Sequence, residues 1–214
     1  MFKKKPFFIV FEGVEGCGKS YQSKKLYNNL KKKKISSILT REPGGTRSAE
    51  MIRGLILKDY FNKDNKEKFN KYTDTLLYLA ARNEHVKNKI IPALKQKKVV
   101  ICDRFVDSTL AYQVYGKKVG LNFINNIHKM ILNGLKPNIT FLLKVSPTTS
   151  KLRLSKRKIK NRYDKFDQSF YNKVQKSFLK IAKNKMNYYV FDSSKNDKVL
   201  ENKIINIVVK HLIK

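Results

Sequence analysis

Eight residues, Gly13-Val14-Glu15-Gly16-Cys17-Gly18-Lys19-Ser20, follow directly on the apolar run Phe7-Phe8-Ile9-Val10-Phe11 and have the types and order needed to hold a polyphosphate. Glycines let successive N–H groups turn into one concavity, and a helix starting behind them directs its positive end at the same anion. In that arrangement Lys19 reaches the β- and γ-phosphates and the Ser20 hydroxyl is a ligand for Mg²⁺. A plain tight turn requires glycine but has no use for Lys-Ser after a strand. The spacing therefore points to a nucleoside triphosphate site built from Gly13 to Ser20.

Phosphoryl transfer also needs a metal-holding carboxylate, cations at the migrating charge and an anchored second substrate. Asp103 closes the run Val99-Val100-Ile101-Cys102 and is placed to hold Mg²⁺, directly or through water; taken alone, a strand-terminal Asp is as often a turn or cap residue. Arg104 beside it suits a site handling two phosphorylated molecules. Arg41 and Arg104 offer the planar fork that matches phosphate oxygens. Pro43-Gly44-Gly45 sets a turn that lets backbone approach a ligand closely, or serves as a loop turn only. Arg153, Arg157 and Arg162, in the basic segment Lys151 to Arg162, are candidates to close on the triphosphate as a mobile cover.

These groups need elements to position them. Five apolar runs rich in β-branched and aromatic residues, Phe7 to Phe11, Ser36 to Thr40, Val99 to Cys102, Ile139 to Val145 and Tyr188 to Phe191, alternate with stretches of helical spacing. The helical stretches are Ser20 to Leu30, Arg47 to Leu57, Tyr72 to Leu94, Leu121 to Leu132 and Phe170 to Lys185. The alternation predicts an α/β fold, a five-stranded parallel sheet with helices on both faces. Ligands collect at the carboxyl ends of such strands, where Arg41 and Asp103 lie. Asp59 to Lys71 reads as a surface excursion.

The chain has 48 Lys and Arg against 16 Asp and Glu, a formal charge of +32. The excess is spread over nearly every polar stretch, which favours a solvated surface over one basic groove and leaves non-specific polyanion binding at low salt. Cys17 and Cys102 form no C-x-x-C pair, the three histidines have no ligand spacing, and no apolar stretch reaches membrane-spanning length. These features predict a reducing, cytoplasmic setting without a membrane or specific nucleic-acid partner. A thiol at a helix start tends to a lowered pKa, so Cys17 is expected to react with thiol reagents and to be protected by ATP.

Taken together, Glu12 to Ser20, Thr40-Arg41-Glu42-Pro43-Gly44-Gly45-Thr46, Leu79-Ala80-Ala81-Arg82, Asp103-Arg104-Phe105 and Ser108-Thr109-Leu110-Ala111-Tyr112-Gln113 resemble bacterial thymidylate kinase over essentially the whole chain. The resemblance implies a P-loop NTPase with an adenylate-kinase-like sheet and a short mobile lid at about residues 148–166, all within a single nucleoside monophosphate kinase domain spanning 1–214. It implies transfer from Mg-ATP to dTMP, a step toward dTTP, by a homodimer. It places Glu15 at the sugar 3′-hydroxyl, Arg41 and Arg104 at the dTMP phosphate, and Tyr78 against the thymine. Arg82 would reach the base edge, with Thr109, Gln113 and Arg53 completing the pocket. Lys19, Arg104 and a lid arginine among Arg153, Arg157 and Arg162 would be catalytic, with Ser20 and Asp103 at the metal. Gly16-Cys17 leaves the loop without an arginine, which resembles the form of the family whose arginine sits in the lid. Departures include Cys17 for the common Ala, Phe105 for Tyr or His, Asn161 for Asp, and Lys158 where the lid usually has glycine. The rival readings are a related kinase acting on dUMP, dCMP or a deoxynucleoside, and a nucleic-acid-binding ATPase.

Overall fold

In the computed structural model, which describes residues 5–58, 68–156, 167–183 and 185–213, five strands form one parallel sheet in the order β2-β3-β1-β4-β5. They are β1 (Phe7–Glu12), β2 (Ser37–Arg41), β3 (Val99–Asp103), β4 (Ile139–Lys144) and β5 (Tyr188–Asp192). All six residues of β1 are buried. Alternation along a strand sends neighbouring side chains to opposite faces. Phe7, Ile9 and Phe11 accordingly join a core with Leu26, Leu30, Val174, Phe178 and Val208, while Phe8 and Val10 join a second core with Val86, Ile90, Val100 and Cys102. Burial on both sides is why this strand reads as an unbroken apolar run.

The helices are α1 (Lys19–Lys32), α2 (Arg47–Leu57), α3 (Lys71–His85), α4 (Ile91–Lys95), α5 (Val106–Thr109), α6 (Leu121–Leu132), α7 (Pro147–Ser155), α8 (Gln168–Ala182) and α9 (Lys198–Ile213). The stretch expected as one helix from Tyr72 to Leu94 is α3 and α4 joined by a π turn, Val86–Ile90. Pro92 has no N–H to give and its ring crowds the preceding turn. The wider winding, in which the Ile91 N–H reaches back five residues to the Val86 carbonyl, relieves that crowding. A second π turn, Leu110–Gly116, continues α5.

Two elements depart from the expected plan. The segment beginning at Lys151 is helical up to Ser155, where it forms the last part of α7, with Leu154 buried. Lys198–Ile213, expected as nothing in particular, is the long helix α9, whose Leu200, Ile204, Val208 and Leu212 are buried at intervals of one turn. Residues 59–67 of the excursion expected over 59–71 and the lid residues 157–166, including Arg157, Lys158, Asn161 and Arg162, lie outside the described residues, while Lys71 begins α3. No helix among the described residues is long and apolar enough to cross a membrane.

Candidate active site

The carboxyl ends of β1, β2 and β3 share one rung, on which Asp103 lies between Phe11 and Arg41. The residues just beyond these ends therefore converge, as open parallel sheets require of their ligand sites. A cavity of about 210 Å³ lies there, lined by Glu15, Arg41, Arg53, Tyr78, Arg82, Arg104, Thr109 and Gln113. Lys19, Ser20 and Asp103 border the same space. Every residue expected on the acceptor side thus opens onto one cavity with the phosphate-loop lysine and the metal pair.

The phosphate loop itself is tightly seated. Gly13 has φ of 137°, and a Cβ there would lie 2.3 Å from the Leu143 carbonyl oxygen and 2.8 Å from Cys17 Sγ, so no other residue fits. Lys19 Nζ donates to the carbonyls of Gly13 at 2.9 Å and Val14 at 2.8 Å, folding the ammonium back into the loop. Gly18 starts α1 without a side-chain cap and no acidic residue occupies the first turn, whereas α2, α3, α7 and α8 are capped by Thr46, Asn70, Ser146 and Asp167. The uncapped N–H groups of α1 are left for an anion. Cys17 is fully buried under the loop, so its expected reaction with thiol reagents must wait for the loop to open, an opening that bound ATP would resist.

Ser20 Oγ donates to Asp103 Oδ2 at 2.5 Å. Among the described residues no group of three or more His, Cys, Asp or Glu is arranged to hold a metal. An alcohol and one carboxylate do fit Mg²⁺, which keeps waters and takes further ligands from substrate phosphates. They do not make an all-protein cage.

Arg104 has φ of 75°, a left-handed conformation that costs a non-glycine residue about 1–3 kcal/mol. It is held there by its N–H on the Phe11 carbonyl at 2.9 Å and by Cys102 Sγ donating to its own carbonyl at 3.0 Å. The conformation aims its guanidinium across the cavity mouth: Nη1 donates to the Gly13 carbonyl at 2.9 Å and Ser108 Oγ at 3.0 Å, and Nη2 to Glu15 Oε1 at 2.8 Å. Glu15 Oε2 accepts from the Tyr112 hydroxyl. Burial opposes the charge on Glu15, but Arg104 and Lys19 outweigh it and hold the carboxyl below its usual range. Burial also combines with Glu15 to push the Tyr112 phenol well up, so it stays a donor.

Arg41 is exposed, its Nη2 donating to both carboxylate oxygens of Glu50, at 3.2 and 3.1 Å, and the Gly45 N–H reaches Glu50 Oε1 at 2.9 Å. Arg53 Nη1 donates to the Pro43 carbonyl at 2.6 Å. Arg82 is buried, with Nε donating to Glu42 Oε2 at 2.7 Å, while His85 Nδ1 lies 3.1 Å from Glu42 Oε1. Burial works against the Glu42 charge, yet Arg82 and His85 keep its pKa low. Arg153 spends its fork on carbonyls, on Gly16 at 3.1 Å, Ser193 at 3.0 Å and Ser194 at 2.6 Å, tying the phosphate loop to the segment after β5.

Several groups that shape the site carry no mark in the sequence pattern. Glu12, Glu42, Ser108 and Tyr112 stand inside recognised motifs but only their geometry gives them partners, and His85 and His128 follow from the fold alone. Glu12 is fully buried, accepting from the N–H groups of Phe105 at 2.8 Å and Ser108 at 3.2 Å and from Ser108 Oγ at 2.6 Å. Burial, then Asp107, raises its pKa from 4.5 to about 7 despite these donors. The native state therefore binds more protons than the unfolded chain between those values, and Glu12's contribution to stability falls as pH rises from 4.5 through about 7. Glu12→Gln removes that titration. Denaturant midpoints are expected to show the wild type losing about 3 kcal/mol relative to E12Q over this window, and parallel pH profiles of the two proteins would refute it.

The sequence profile of the thymidylate kinase family matches residues 11–204. The chain belongs to the thymidylate kinase family. It is 43% identical over 205 residues to the thymidylate kinase of Wolbachia pipientis wMel, covering 93% of this chain and 98% of that one. It is 44% identical over 202 residues to the thymidylate kinase of Prochlorococcus marinus strain AS9601, covering 92% of each. The crystal structure of thymidylate kinase from Ehrlichia chaffeensis superposes with a TM-score of 0.71 at 29% identity, over 95% of this chain and 99% of that one. Membership of the thymidylate kinase family makes the chain an enzyme, a nucleotide kinase, on the P-loop NTPase fold that the resemblance implies.

Proposed function

We propose that the chain transfers the γ-phosphoryl group of Mg-ATP to dTMP. A dTMP phosphate oxygen attacks the γ-phosphorus in line, the bond to the β,γ-bridging oxygen breaks, and dTDP and ADP leave. The observation that carries this reading is the shared cavity, in which the acceptor-side residues open onto the phosphate loop and Asp103. Lys19 and the N–H groups at the start of α1 bind the triphosphate. Arg104 and Arg41 take the acceptor phosphate, the latter exchanging Glu50 for it, and Glu15 accepts from the sugar hydroxyl. Tyr78 supplies an apolar ring to the base, with Arg82, Thr109, Gln113 and Arg53 around it. Ser20 and Asp103 would hold Mg²⁺, which supplies charge neutralisation between the phosphates when bound.

Arg153 steadies the loop, and Arg157 and Arg162 are carried in the same proposal as lid arginines. So are a single domain over 1–214, a lid at about 148–166, a cytoplasmic homodimer, and the absence of nucleic-acid and membrane partners. Exposed Met51 and Leu55 on α2 and Leu76 on α3, two helices packed together, give a dimer apolar area to cover.

Initial rates of ADP formation test the reading with dTMP, dUMP, dCMP and thymidine as acceptors, with and without duplex DNA. The expected order places dTMP first. A single methyl group is worth about 1–3 kcal/mol in a pocket, so dUMP should follow within about 10–200-fold. Preference for dCMP or thymidine, or a rate that depends on DNA, would reject it.

A further inference from the structure

Glu12 closes β1 as a carboxyl group fully removed from water, and it does not line the cavity. Such burial is costly unless the oxygens have partners. Both oxygens do. Oε1 accepts from the N–H groups of Phe105 at 2.8 Å and Ser108 at 3.2 Å, and Oε2 from the Ser108 hydroxyl at 2.6 Å. These contacts serve the start of α5, whose flanking residue, Phe105, has no side-chain oxygen with which to cap it. Asp107, the carboxylate within α5, is engaged elsewhere, by Lys185 Nζ at 3.1 and 3.3 Å.

The same turn carries Arg104. Its left-handed φ of 75° comes immediately before Phe105, the first residue whose N–H Glu12 holds. Ser108 then links the two side chains. A hydroxyl has one hydrogen, and Ser108 gives it to Glu12, so it meets Arg104 Nη1, 3.0 Å away, with an oxygen lone pair. Donation to a carboxylate also polarises that oxygen into a better acceptor. Arg104 is thereby steadied at its backbone and at its guanidinium by one buried group.

We infer that Glu12 is a positioning residue for the phosphoryl transfer: through Ser108 and the turn 105–108 it holds the Arg104 guanidinium across the cavity mouth, where the acceptor phosphate arrives, and touches no substrate itself. The inference rests on Arg104 meeting the dTMP phosphate, as proposed above.

Steady-state kinetics on wild type, Glu12→Gln, Ser108→Ala, Arg104→Met and the double variant of E12Q with R104M test this, at about pH 8.5, above the pKa of about 7 at which Glu12 titrates. Glutamine has one oxygen where Glu12 has two. With that oxygen on the N–H groups of Phe105 and Ser108, an amide N–H faces the Ser108 oxygen and the charge that polarised it is gone. E12Q and S108A are each expected to lower kcat/KM for dTMP about tenfold, the scale of one hydrogen bond to a charged group, with KM for ATP within about twofold. In the R104M background E12Q should change kcat/KM by less than about twofold, because a residue acting through Arg104 then has nothing to position. A Glu12 that only supports the fold would cost as much there as in the wild type and would raise KM for ATP as well.

E12Q or S108A within about twofold of wild type for dTMP overturns the inference, as does an E12Q loss that persists in full in R104M or falls equally on ATP. If E12Q does not fold, S108A alone and combined with R104M carries the same expectations and the same overturning results. Wild-type protein that fails to use dTMP would instead sink the functional reading before any variant is compared.

Discussion

Replacing Arg104 with methionine is expected to lower kcat/KM for dTMP by about three orders of magnitude, the scale on which arginines at migrating phosphoryl charge act. The side chain bridges the two halves of the site, joining the Gly13 carbonyl of the phosphate loop to Glu15 and Ser108. Its removal takes away a cation facing the acceptor phosphate and also leaves Glu15 with a charge that Arg104 and Lys19 had stabilised against burial. Glu15 should then titrate closer to neutrality, and stability at pH 7 should drop by about 2–3 kcal/mol, somewhat less than for a fully buried pair because Arg104 keeps partial access to water. Arg104→Lys should rescue little, since one ammonium cannot span three acceptors in a fixed fork. Steady-state kinetics with urea denaturation separates the two effects. An R104M protein within tenfold of wild type would remove Arg104 from the transfer step.

Lys19→Met is expected to reduce kcat by about 10²–10³-fold while leaving the fold in place. Its ammonium rests on the Gly13 and Val14 carbonyls, so the ground state loses two hydrogen bonds of modest net value, about 1 kcal/mol each. The larger loss falls where charge migrates between the phosphates. Stopped-time assays at saturating ATP and dTMP, with a thermal melt as control, measure it. A kcat within threefold of wild type would show that Lys19 only props the loop.

The sheet was legible because its strands are buried on both faces and read as short apolar runs, as in β1 and β3. Helix α9 was readable in principle, from Leu200, Ile204, Val208 and Leu212, but the lysines and asparagines around them diluted the stripe. Helix α7 had no stripe to find: its buried residues are Ser150 and Leu154, among hydroxyls and charges. The polar motifs identified which residues meet at the cavity, since strand ends in a parallel sheet must converge. They were silent on what those residues spend on each other. Arg82 is a fixed motif residue, yet its partner His128 comes from α6, which the motif does not contain. Burial adds a step to the expectation for Cys17, because the loop that brings a thiol to a helix start also covers it.

The phosphate loop, near the amino end, receives its last restraints from far along the chain. Ile9 pairs with Ile139, Ser193 Oγ donates to the Cys17 carbonyl at 2.7 Å, and Arg153 holds Gly16. During synthesis the loop therefore leaves the ribosome long before these distant restraints can reach it. A nucleotide that recognises only the finished loop cannot lower the free energy of a half-made chain. ATP thus rewards completion alone, and messages cut short before β5 should yield protein that the cell's nucleotide pool does nothing to protect from proteolysis.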